Sequence, residues 1–437
     1  MHSFHYRDGK LFCEDVDVTI AAEQFGTPLY LYSASTILDH YRRLDQALAG
    51  LDHLICYAVK ANSNRAILRL LRDAGAGFDI VSGGELFRAL NAGAVPAKCT
   101  FAGVGKSREE IEYALEQAVY SFNVESEAEL YYINEIASAK KQRAPIALRV
   151  NPDVKAQTHE YTSTGKSENK FGVALERAAE VYERAREMPD ITIRGVQMHI
   201  GSQITAAAPF VAAIDKIGPL VSELKSKYAI DFFSIGGGLG IAYESSIASG
   251  SGDWWTSRRS HPLTIRDYID AILPSLTRLG LRILLEPGRL LVGNAGILLT
   301  RISYIKESTR KKFAIVDAGM NDLIRPALYG SYHEIVPANM AGGDSPNRPG
   351  INTSKIDIVG PVCESGDFFA QDREMPELRT GDLLAVMSAG AYGFVMASNY
   401  NSRPLPAEAL VRGDKVALIR KRQSVEDLSR GEIDPTW

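Results

Sequence analysis

The chain has 437 residues, of which 45% are hydrophobic and 23% are charged, and its formal net charge is −4. This length is typical of two domains, and the composition is that of a soluble globular protein. The slightly acidic balance provides no basic field for nucleic acid or anionic lipid, so neither partner is expected.

The N-terminal segment and the cysteines bear on location. MHSFHYRDGKLF is polar and lacks the apolar core of a signal peptide. The sequence contains no run of about 18 apolar residues, so a membrane span is not expected. The cysteines are scattered without the spacing of metal ligands, at Cys13, Cys56, Cys99 and Cys363. This pattern predicts reduced thiols in a cytoplasmic protein without a metal site.

Short apolar runs alternate with helix-period segments between about residues 50 and 290. The eight runs are LICYAVK (54–60), GFDIV (77–81), CTFAG (99–103), YSFNV (120–124), IALRV (146–150), IRGVQMHI (193–200), DFFSIG (231–236) and RILLE (282–286). One intervening segment, SREEIEYALEQA, opens with Ser107 and Glu110 in the spacing of a capping box. Eight β/α units in about 240 residues predict a (β/α)8 TIM barrel with parallel strands, whereas an open doubly wound sheet would need fewer strands.

After residue 290 the pattern changes to strand-like runs joined by glycine- and proline-rich turns. These runs are GILLTRISYIKES, KKFAIVDAG, KIDIVGPV, DLLAVMSAG and DKVALIRKR. They predict a mostly β C-terminal domain, to which we also assign the early apolar runs DVTI and PLYLYS. The predicted domains are therefore a barrel at 33–290 and a β domain formed by 1–32 plus 291–437. Residues 246–260 and 339–350 are predicted to be exposed loops.

Nearly every predicted barrel strand ends in a polar residue or a glycine. These positions are Lys60, Asp79, Gly103, Glu125, Asn151, His199, Gly236 to Gly238, and Glu286. Active sites of such barrels lie at the carboxyl ends of the strands. A single lysine at a strand end is usually a surface residue with a buried stem, but the whole series favours a chemical role for Lys60.

The glycine cluster GGGLG, Gly236 to Gly240, follows the seventh strand, where barrel phosphate sites are common. A phosphate site with a strand-end lysine indicates a Schiff base to a phosphorylated carbonyl, either an aldolase-type substrate or pyridoxal 5′-phosphate. Glu286, which opens EPGR, favours the second because a carboxylate would keep a pyridine nitrogen protonated for decarboxylation. The alternatives are that Glu286 only pairs with Arg289 and that His199 is a core histidine.

Taken together, YAVKAN, HIGSQI, GGGLGI and EPGR resemble the motifs of the fold-type III pyridoxal phosphate-dependent decarboxylases. Further segments are similar to those of the diaminopimelate decarboxylase family: FDIVSGGEL (78–86), NPDVKAQTHEYTSTGKSENKFG (151–172), DAGMNDLIRPALYG (317–330), CESGD (363–367) and GAYG (390–393). The resemblance spans roughly residues 57–393. It implies pyridoxal 5′-phosphate as cofactor, a homodimer with active sites shared between subunits, and decarboxylation of meso-2,6-diaminopimelate to L-lysine, the last step of lysine synthesis.

The resemblance also implies roles for individual residues. Lys60 would hold the cofactor as a Schiff base, and Cys363 would be the second catalytic residue. The implied cofactor-binding residues are Lys60, Asp79, His199, Ser202, Gly237, Gly238, Glu286, Gly288, Arg289 and Tyr392. The implied substrate-binding residues are Arg289, Arg325, Tyr329, Glu364 and Tyr392. Cys363 and Glu364 would come from the neighbouring subunit.

The chemistry of the substrate agrees with these roles. A distal carboxylate suits the planar fork of an arginine such as Arg325, and a distal ammonium suits Glu364. A tuned thiol such as Cys363 can return a proton to the α-carbon. The retained alternatives are an ornithine- or arginine-type decarboxylase, for which Arg325 would have no purpose, and a non-catalytic cofactor-binding regulator. An alanine racemase is disfavoured by Glu286.

Overall fold

The computed structural model describes residues 2–154, 170–257, 262–340 and 352–437. Parts of the motif at 151–172 and of the predicted loops at 246–260 and 339–350 therefore lie outside the described residues. The chain forms two compact units. The barrel unit is Leu38–Ile241 with Pro262–Leu291, and the β unit is Met1–Ile37, Ala242–His261 and Val292–Trp437. Residues 242–257 thus pack with the β unit, although the predicted domain limits place them in the barrel.

The barrel unit contains a closed parallel sheet of eight strands, which confirms the predicted barrel. Barrel strands 1 to 8 are His53–Ala58, Gly77–Ile80, Cys99–Phe101, Ser121–Val124, Ala144–Asn151, Ile191–Gln197, Phe232–Ser234 and Arg282–Leu285. Strand 8 pairs with strand 1 and closes the barrel, with Ile283 opposite His53. A two-residue strand, Val173–Ala174, pairs in parallel with the carboxyl end of strand 5. All eight apolar runs of the sequence therefore become strands.

Helices follow the strands, as the alternating pattern predicts. The helix Ala34–Ala47 precedes barrel strand 1. The helices that come after barrel strands are Arg65–Asp73, Gly83–Asn91, Arg108–Glu116, Glu127–Ala139, Leu175–Glu187, Ala208–Tyr228, Ile265–Leu279 and Arg289–Val292, and 3-10 turns occupy Val59–Ala61 and Pro96–Lys98. The predicted capping box is present: the Ser107 hydroxyl accepts from the Glu110 amide, and the Glu110 carboxylate accepts from the Ser107 amide. Among the described residues, no helix is both long and apolar enough to cross a membrane.

The β unit is built on two sheets. Phe4–Arg7, Lys10–Cys13 and Val16–Asp17 form a small antiparallel sheet. The larger sheet contains Leu29–Ser33, Gly296–Glu307, Lys312–Val316, Ile335–Pro337, Thr353–Val359, Phe368–Pro376, Leu383–Val386, Ala407–Arg412 and Lys415–Arg420. The helical segments of the β unit are Val18–Phe25, Ala248–Gly250, Gly252–Ser257, Arg325–Tyr329, Phe394–Met396, Tyr400–Ser402 and Glu426–Ser429. The mostly β character predicted for this part of the chain is confirmed.

The run DVTI belongs to the β unit, as assigned, and it begins a helix. Asp17 ends the small sheet, and its side chain accepts a hydrogen bond from the Thr19 amide. Aspartate at this position satisfies a donor that the first helical turn leaves unpaired. The chain therefore turns into the helix Val18–Phe25 instead of continuing as a strand.

Replacing Ser107 with alanine tests the capping box that opens the helix Arg108–Glu116. Ser107→Ala removes the hydroxyl acceptor, so we expect the free energy of unfolding to fall by about 1 kcal/mol. Ser107→Thr keeps the acceptor and serves as the control. Urea unfolding of both variants measures the loss, and equal stability of the alanine variant and the wild type would show that the box is not needed.

Candidate active site

Lys60 lies just beyond barrel strand 1, in the 3-10 turn Val59–Ala61. Its Nζ donates to Asp79 Oδ2 at 2.7 Å. The Asp79 side chain, on barrel strand 2, is fully buried, whereas the Lys60 side chain keeps 39% of its surface exposed. A buried carboxylate therefore fixes the position of an amine that solutes can still reach.

Glu286 follows barrel strand 8 and is buried. Three neutral side chains donate to its carboxylate: Ser234 Oγ at 2.7 Å, Gln197 Nε2 at 2.9 Å and Asn123 Nδ2 at 3.3 Å. Burial, reinforced by the nearby charge of Asp79, raises the pKa of Glu286, and the bonds from Ser234 and Gln197 oppose that rise. These neutral donors leave the carboxylate suited to a cationic ring nitrogen.

Several buried polar atoms surround these groups. Asp79 Oδ1, Asn123 Oδ1 and Gln197 Oε1 have no hydrogen-bond partner within the part of the chain that the structure describes. Buried polar atoms in folded proteins are nearly always paired. Three such acceptors near one end of a barrel indicate a place built to receive a polar ligand.

His199 lies two residues beyond barrel strand 6, and its Nδ1 is 3.2 Å from the amide nitrogen of Gly237. Since an amide can only donate, Nδ1 is the acceptor and any ring hydrogen is on Nε2. Burial, with smaller effects from Arg149 and Lys60, lowers the pKa of His199 well below its usual value. The imidazole is therefore neutral and held in one orientation, as a flat contact for an aromatic ring requires.

The glycines after strand 7 are required by close packing. A Cβ at Gly237 would lie 2.2 Å from the Glu286 carbonyl oxygen, and one at Gly238 would lie 2.3 Å from the Gly201 carbonyl oxygen. Gly238 also has a φ of +109°, which disfavours any side chain. The cluster therefore presses against the loops after strands 6 and 8. The Gly237 amide orients His199, a use that the sequence did not predict.

Arg289 connects the same loops. It follows Gly288 and is buried, and its Nη2 donates to Ser202 Oγ at 3.2 Å. The predicted cofactor residues of the EPGR and HIGSQ motifs thus meet in the folded barrel. The combination of a guanidinium, a hydroxyl and nearby glycine backbone is suitable for an anion such as a phosphate.

A buried ion pair supports this end of the barrel and was not predicted. Arg149 Nη1 contacts Glu125 Oε1 at 2.8 Å, and both side chains are largely buried. The Glu125 carboxylate also accepts from the amides of Gly103 at 3.2 Å and Gly172 at 3.0 Å. One carboxylate therefore ties together the chain beyond strands 3, 4 and 5. In the sequence, the polar residue Glu125 at a strand end was the feature from which this contact could have been predicted.

These residues fit pyridoxal 5′-phosphate. The barrel supplies a reachable amine, a buried carboxylate with neutral donors, a neutral imidazole, and an arginine with a hydroxyl. The unpaired oxygens near Glu286 agree with a polar ring at this place. Lys60, Asp79, His199, Ser202, Gly237, Gly238, Glu286, Gly288 and Arg289 all belong to the barrel unit.

Arg325, in the β unit, is buried in the short helix Arg325–Tyr329. Its Nε donates to His333 Nε2 at 3.4 Å, and its Nη2 donates to Ser331 Oγ at 3.3 Å. The guanidinium lies 5.3 Å from the centre of the Tyr243 ring and 5.9 Å from that of the half-buried Tyr329. The two predicted substrate residues of this motif are thus neighbours, held by His333 and Tyr243, which sequence analysis missed.

The CESGD turn exposes Cys363 and Glu364 and buries Asp367. The two Asp367 carboxylate oxygens accept from the amides of Met320 and Val362, each at 2.6 Å. The Cys363 amide donates to Asn401 Oδ1 at 2.8 Å. The thiol predicted for catalysis and the carboxylate predicted for substrate binding are therefore on a turn that a buried aspartate holds in place.

Tyr392 has a φ of +56°, a conformation that a bulky residue seldom adopts. The glycines beside it leave no room for side chains: a Cβ at Gly390 would overlap the Val292 carbonyl oxygen, and one at Gly393 would lie 2.4 Å from the Ala389 carbonyl oxygen. Strain of this kind persists where the surroundings impose it, often at functional sites. Arg325, Tyr329, Cys363, Glu364 and Tyr392 all belong to the β unit.

Comparison with known proteins agrees with the predicted barrel. The family model described as "Pyridoxal-dependent decarboxylase, pyridoxal binding domain" matches residues 34–293. This range includes all eight barrel strands and every predicted cofactor residue except Tyr392. The fold and the match define the class of pyridoxal-dependent decarboxylases.

Full-length relatives narrow the class. The diaminopimelate decarboxylase of Pseudomonas aeruginosa is 49% identical over 433 residues, which is 99% of each chain. That of Vibrio cholerae is 45% identical over 431 residues, 98% of each chain. The crystal structure of diaminopimelate decarboxylase from Helicobacter pylori complexed with L-lysine has a TM-score of 0.86 at 41% identity, covering 95% of this chain and 98% of that one. This chain belongs to the diaminopimelate decarboxylase family.

Asp322, beside the helix that carries Arg325, is a buried carboxyl with a strongly perturbed pKa. Its Oδ2 accepts from the Gly319 amide at 2.9 Å, and its Oδ1 accepts from Asn321 Nδ2 at 3.1 Å. Burial is the main cause that raises its pKa from 3.8 to about 7. A raised carboxyl pKa stabilises the fold fully below the unfolded value, and this contribution is lost as the pH rises through the folded value.

Replacing Asp322 with asparagine tests this pH dependence. Because Asp322→Asn cannot ionise, we expect its melting temperature relative to wild type to rise by several degrees from pH 4 to about pH 7 and to level off above. Thermal unfolding of both proteins across this range measures the difference. Asp414→Asn, at an exposed site, is the control for the substitution itself. A constant difference at Asp322 would contradict the raised pKa.

Proposed function

We propose that this chain decarboxylates meso-2,6-diaminopimelate to L-lysine and CO2, with pyridoxal 5′-phosphate bound in the barrel. The observation that carries the proposal is the pairing of Lys60 with buried Asp79 next to a carboxylate, Glu286, held only by neutral donors in the described structure. Family membership supports the substrate, since the relatives are named diaminopimelate decarboxylases and the Helicobacter pylori protein was crystallised with L-lysine.

Each barrel residue would bind a different part of the cofactor. Lys60 would hold it covalently through Nζ, Glu286 would face the ring nitrogen, and His199 would lie against the ring. Ser202, Gly237, Gly238, Gly288 and Arg289 would surround the phosphate, and Tyr392 would also contact the cofactor. When bound, the cofactor supplies an electron sink for the pair that the departing carboxylate leaves behind.

The protein's own groups set up that chemistry. Asp79 keeps the Lys60 amine in place, and the neutral His199 adds no competing positive charge. Glu286 is desolvated, so its carboxylate gains more from a cationic nitrogen than it would in water. The buried donors Asn123, Gln197 and Ser234 hold the carboxylate still, so little reorganisation is needed during the reaction.

The β-unit residues would recognise the rest of the substrate. Arg325 is a buried cation suited to the distal carboxylate, with Tyr329 beside it, and Arg289 would also meet the substrate. Glu364 would bind the distal ammonium group. Cys363 would pass its Sγ proton to the α-carbon after CO2 leaves, and solvent would then reprotonate the thiolate. The substrate thus loses CO2 and gains one proton.

We propose that two copies of the chain share each site. Cys363 and Glu364 are exposed in the single chain, on a turn that Asp367 and Asn401 hold in place. A proton donor needs a site from which water is excluded, and this exposed turn offers none by itself. A partner subunit that covers the turn with its own barrel would supply one.

Replacing Lys60 tests the reaction and its cofactor together. We expect wild type to release CO2 from meso-diaminopimelate far faster than from ornithine or arginine. Lys60→Ala should lose nearly all activity and the visible absorbance of the bound cofactor, because no amine remains to hold it. Lys98→Ala, an exposed lysine at the opposite end of the barrel strands, is the control. A borohydride-reducible cofactor adduct that survives in Lys60→Ala would place the covalent lysine elsewhere.

Mixing two inactive variants tests the shared site. Lys60→Ala and Cys363→Ala are each expected to be nearly inactive alone. After equal amounts exchange subunits, half of the dimers are mixed, and each mixed dimer has one site with both native groups. Activity should recover to about a quarter of wild type by symmetry.

The same mixture has an outcome that would contradict the shared site. If Cys363 serves the Lys60 of its own chain, every site in the mixture carries one defect. Activity would then stay at the level of the parents although subunit exchange is demonstrated, for example with differently tagged chains.

A further inference from the structure

His333 is fully buried and has a fixed ring orientation. Its Nδ1 lies 2.8 Å from the carbonyl oxygen of Met387. A carbonyl oxygen only accepts, so Nδ1 carries the hydrogen in this bond. In the neutral imidazole, Nε2 is therefore an acceptor, and the backbone of the β unit has selected the tautomer.

The acceptor nitrogen of His333 faces an arginine. Arg325 Nε lies 3.4 Å from His333 Nε2 and donates to it, since a guanidinium has five N–H groups and no acceptor. Arg325 Nη2 donates to Ser331 Oγ at 3.3 Å. Because the guanidinium is planar, two bonds along one side of it fix the direction of the whole group.

Tyr243 holds the same pair from another direction. Its ring meets the His333 ring edge-on, with centres 5.1 Å apart and planes at 82°. The Arg325 guanidinium lies 5.3 Å from the centre of that ring. One tyrosine therefore contacts both partners and limits their movement relative to each other.

The backbone around His333 is also tied down. The Met387 amide donates to the carbonyl oxygen of Glu334 at 2.8 Å, so this segment is bonded to the Met387 region through both backbone and side chain. Arg373 Nη1 donates to the His333 carbonyl oxygen at 2.9 Å. A histidine held at its ring and at its backbone is a firm support for a neighbouring side chain.

We propose that His333 is a positioning residue that directs the Arg325 guanidinium, and that it thereby sets the preference for a substrate with a distal carboxylate. This inference rests on the proposed function, in which Arg325 binds that carboxylate. His333 acts through Arg325 and does not itself touch the reacting atoms. Its contribution belongs to substrate binding and not to the chemical step.

A double-mutant cycle tests the inference in the holoenzyme. His333→Phe keeps a flat ring against Tyr243 but removes the acceptor, so we expect KM for meso-diaminopimelate to rise about tenfold with kcat nearly unchanged. Arg325→Ala should lower kcat/KM by on the order of a hundredfold. In the double variant the loss should equal that of Arg325→Ala alone, because His333 then has no arginine to direct.

Two further variants make the result interpretable. His333→Gln offers both a donor and an acceptor, so it should restore part of the lost affinity and remains informative if the phenylalanine variant does not fold. His40→Phe is the matched control: His40 is buried, and its Nδ1 is 3.2 Å from the Leu291 carbonyl oxygen. KM should not change in this control, whereas a purely structural effect of losing a buried histidine would appear in both.

The possible outcomes separate the two proposals. Losses that add in the double variant, or a His333→Phe effect confined to kcat, would overturn the positioning role while leaving the proposed function intact. A wild-type enzyme without turnover of meso-diaminopimelate would overturn the proposed function, and with it this inference.

Discussion

The site depends on one constraint, the burial of the Glu286 carboxylate inside a closed barrel. Its donors Asn123, Gln197 and Ser234 come from strands 4, 6 and 7, and Glu286 itself follows strand 8. Side chains alternate along a strand, so a one-residue slip in any of these pairings would turn a donor away from the carboxylate. The hydrogen bonds that Glu286 accepts therefore depend on the register of the barrel strands.

The barrel could be predicted from the sequence because its signal is local. Apolar runs marked all eight strands, and polar residues at their ends marked Lys60 and Glu286. Asn123, Gln197 and Ser234 were missed although each lies inside a run that was predicted to be a strand. A polar residue in a strand can face the barrel interior or the helices, and only the paired register decides which. Once the strand register is known, all three side chains are seen to point towards Glu286 and donate to its carboxylate.

The β unit was predicted less completely because its important contacts are distant in sequence. Tyr243 meets His333 about 90 residues away, and Asp367 meets the amide of Met320. Motif resemblance indicated Arg325 and Cys363 but not the residues that orient them. The run DVTI was assigned to the β domain without a secondary structure, and there the capping aspartate starts a helix despite the β preference of valine and threonine.

Asp367 has a consequence for how this enzyme can change over evolution. A single carboxylate joins the turn that displays Cys363 to the backbone at Met320, five residues before Arg325. A Cβ at Gly319 would lie 3.3 Å from Asp367 Oδ2, and one at Gly360 would lie 2.4 Å from it, so there is little slack between the two segments. Backbone changes around residues 319–325 would therefore also displace the turn that carries Cys363. Given the proposed role of Arg325, new specificity is more accessible through side-chain exchanges on the helix Arg325–Tyr329 than through insertions in the segment before it.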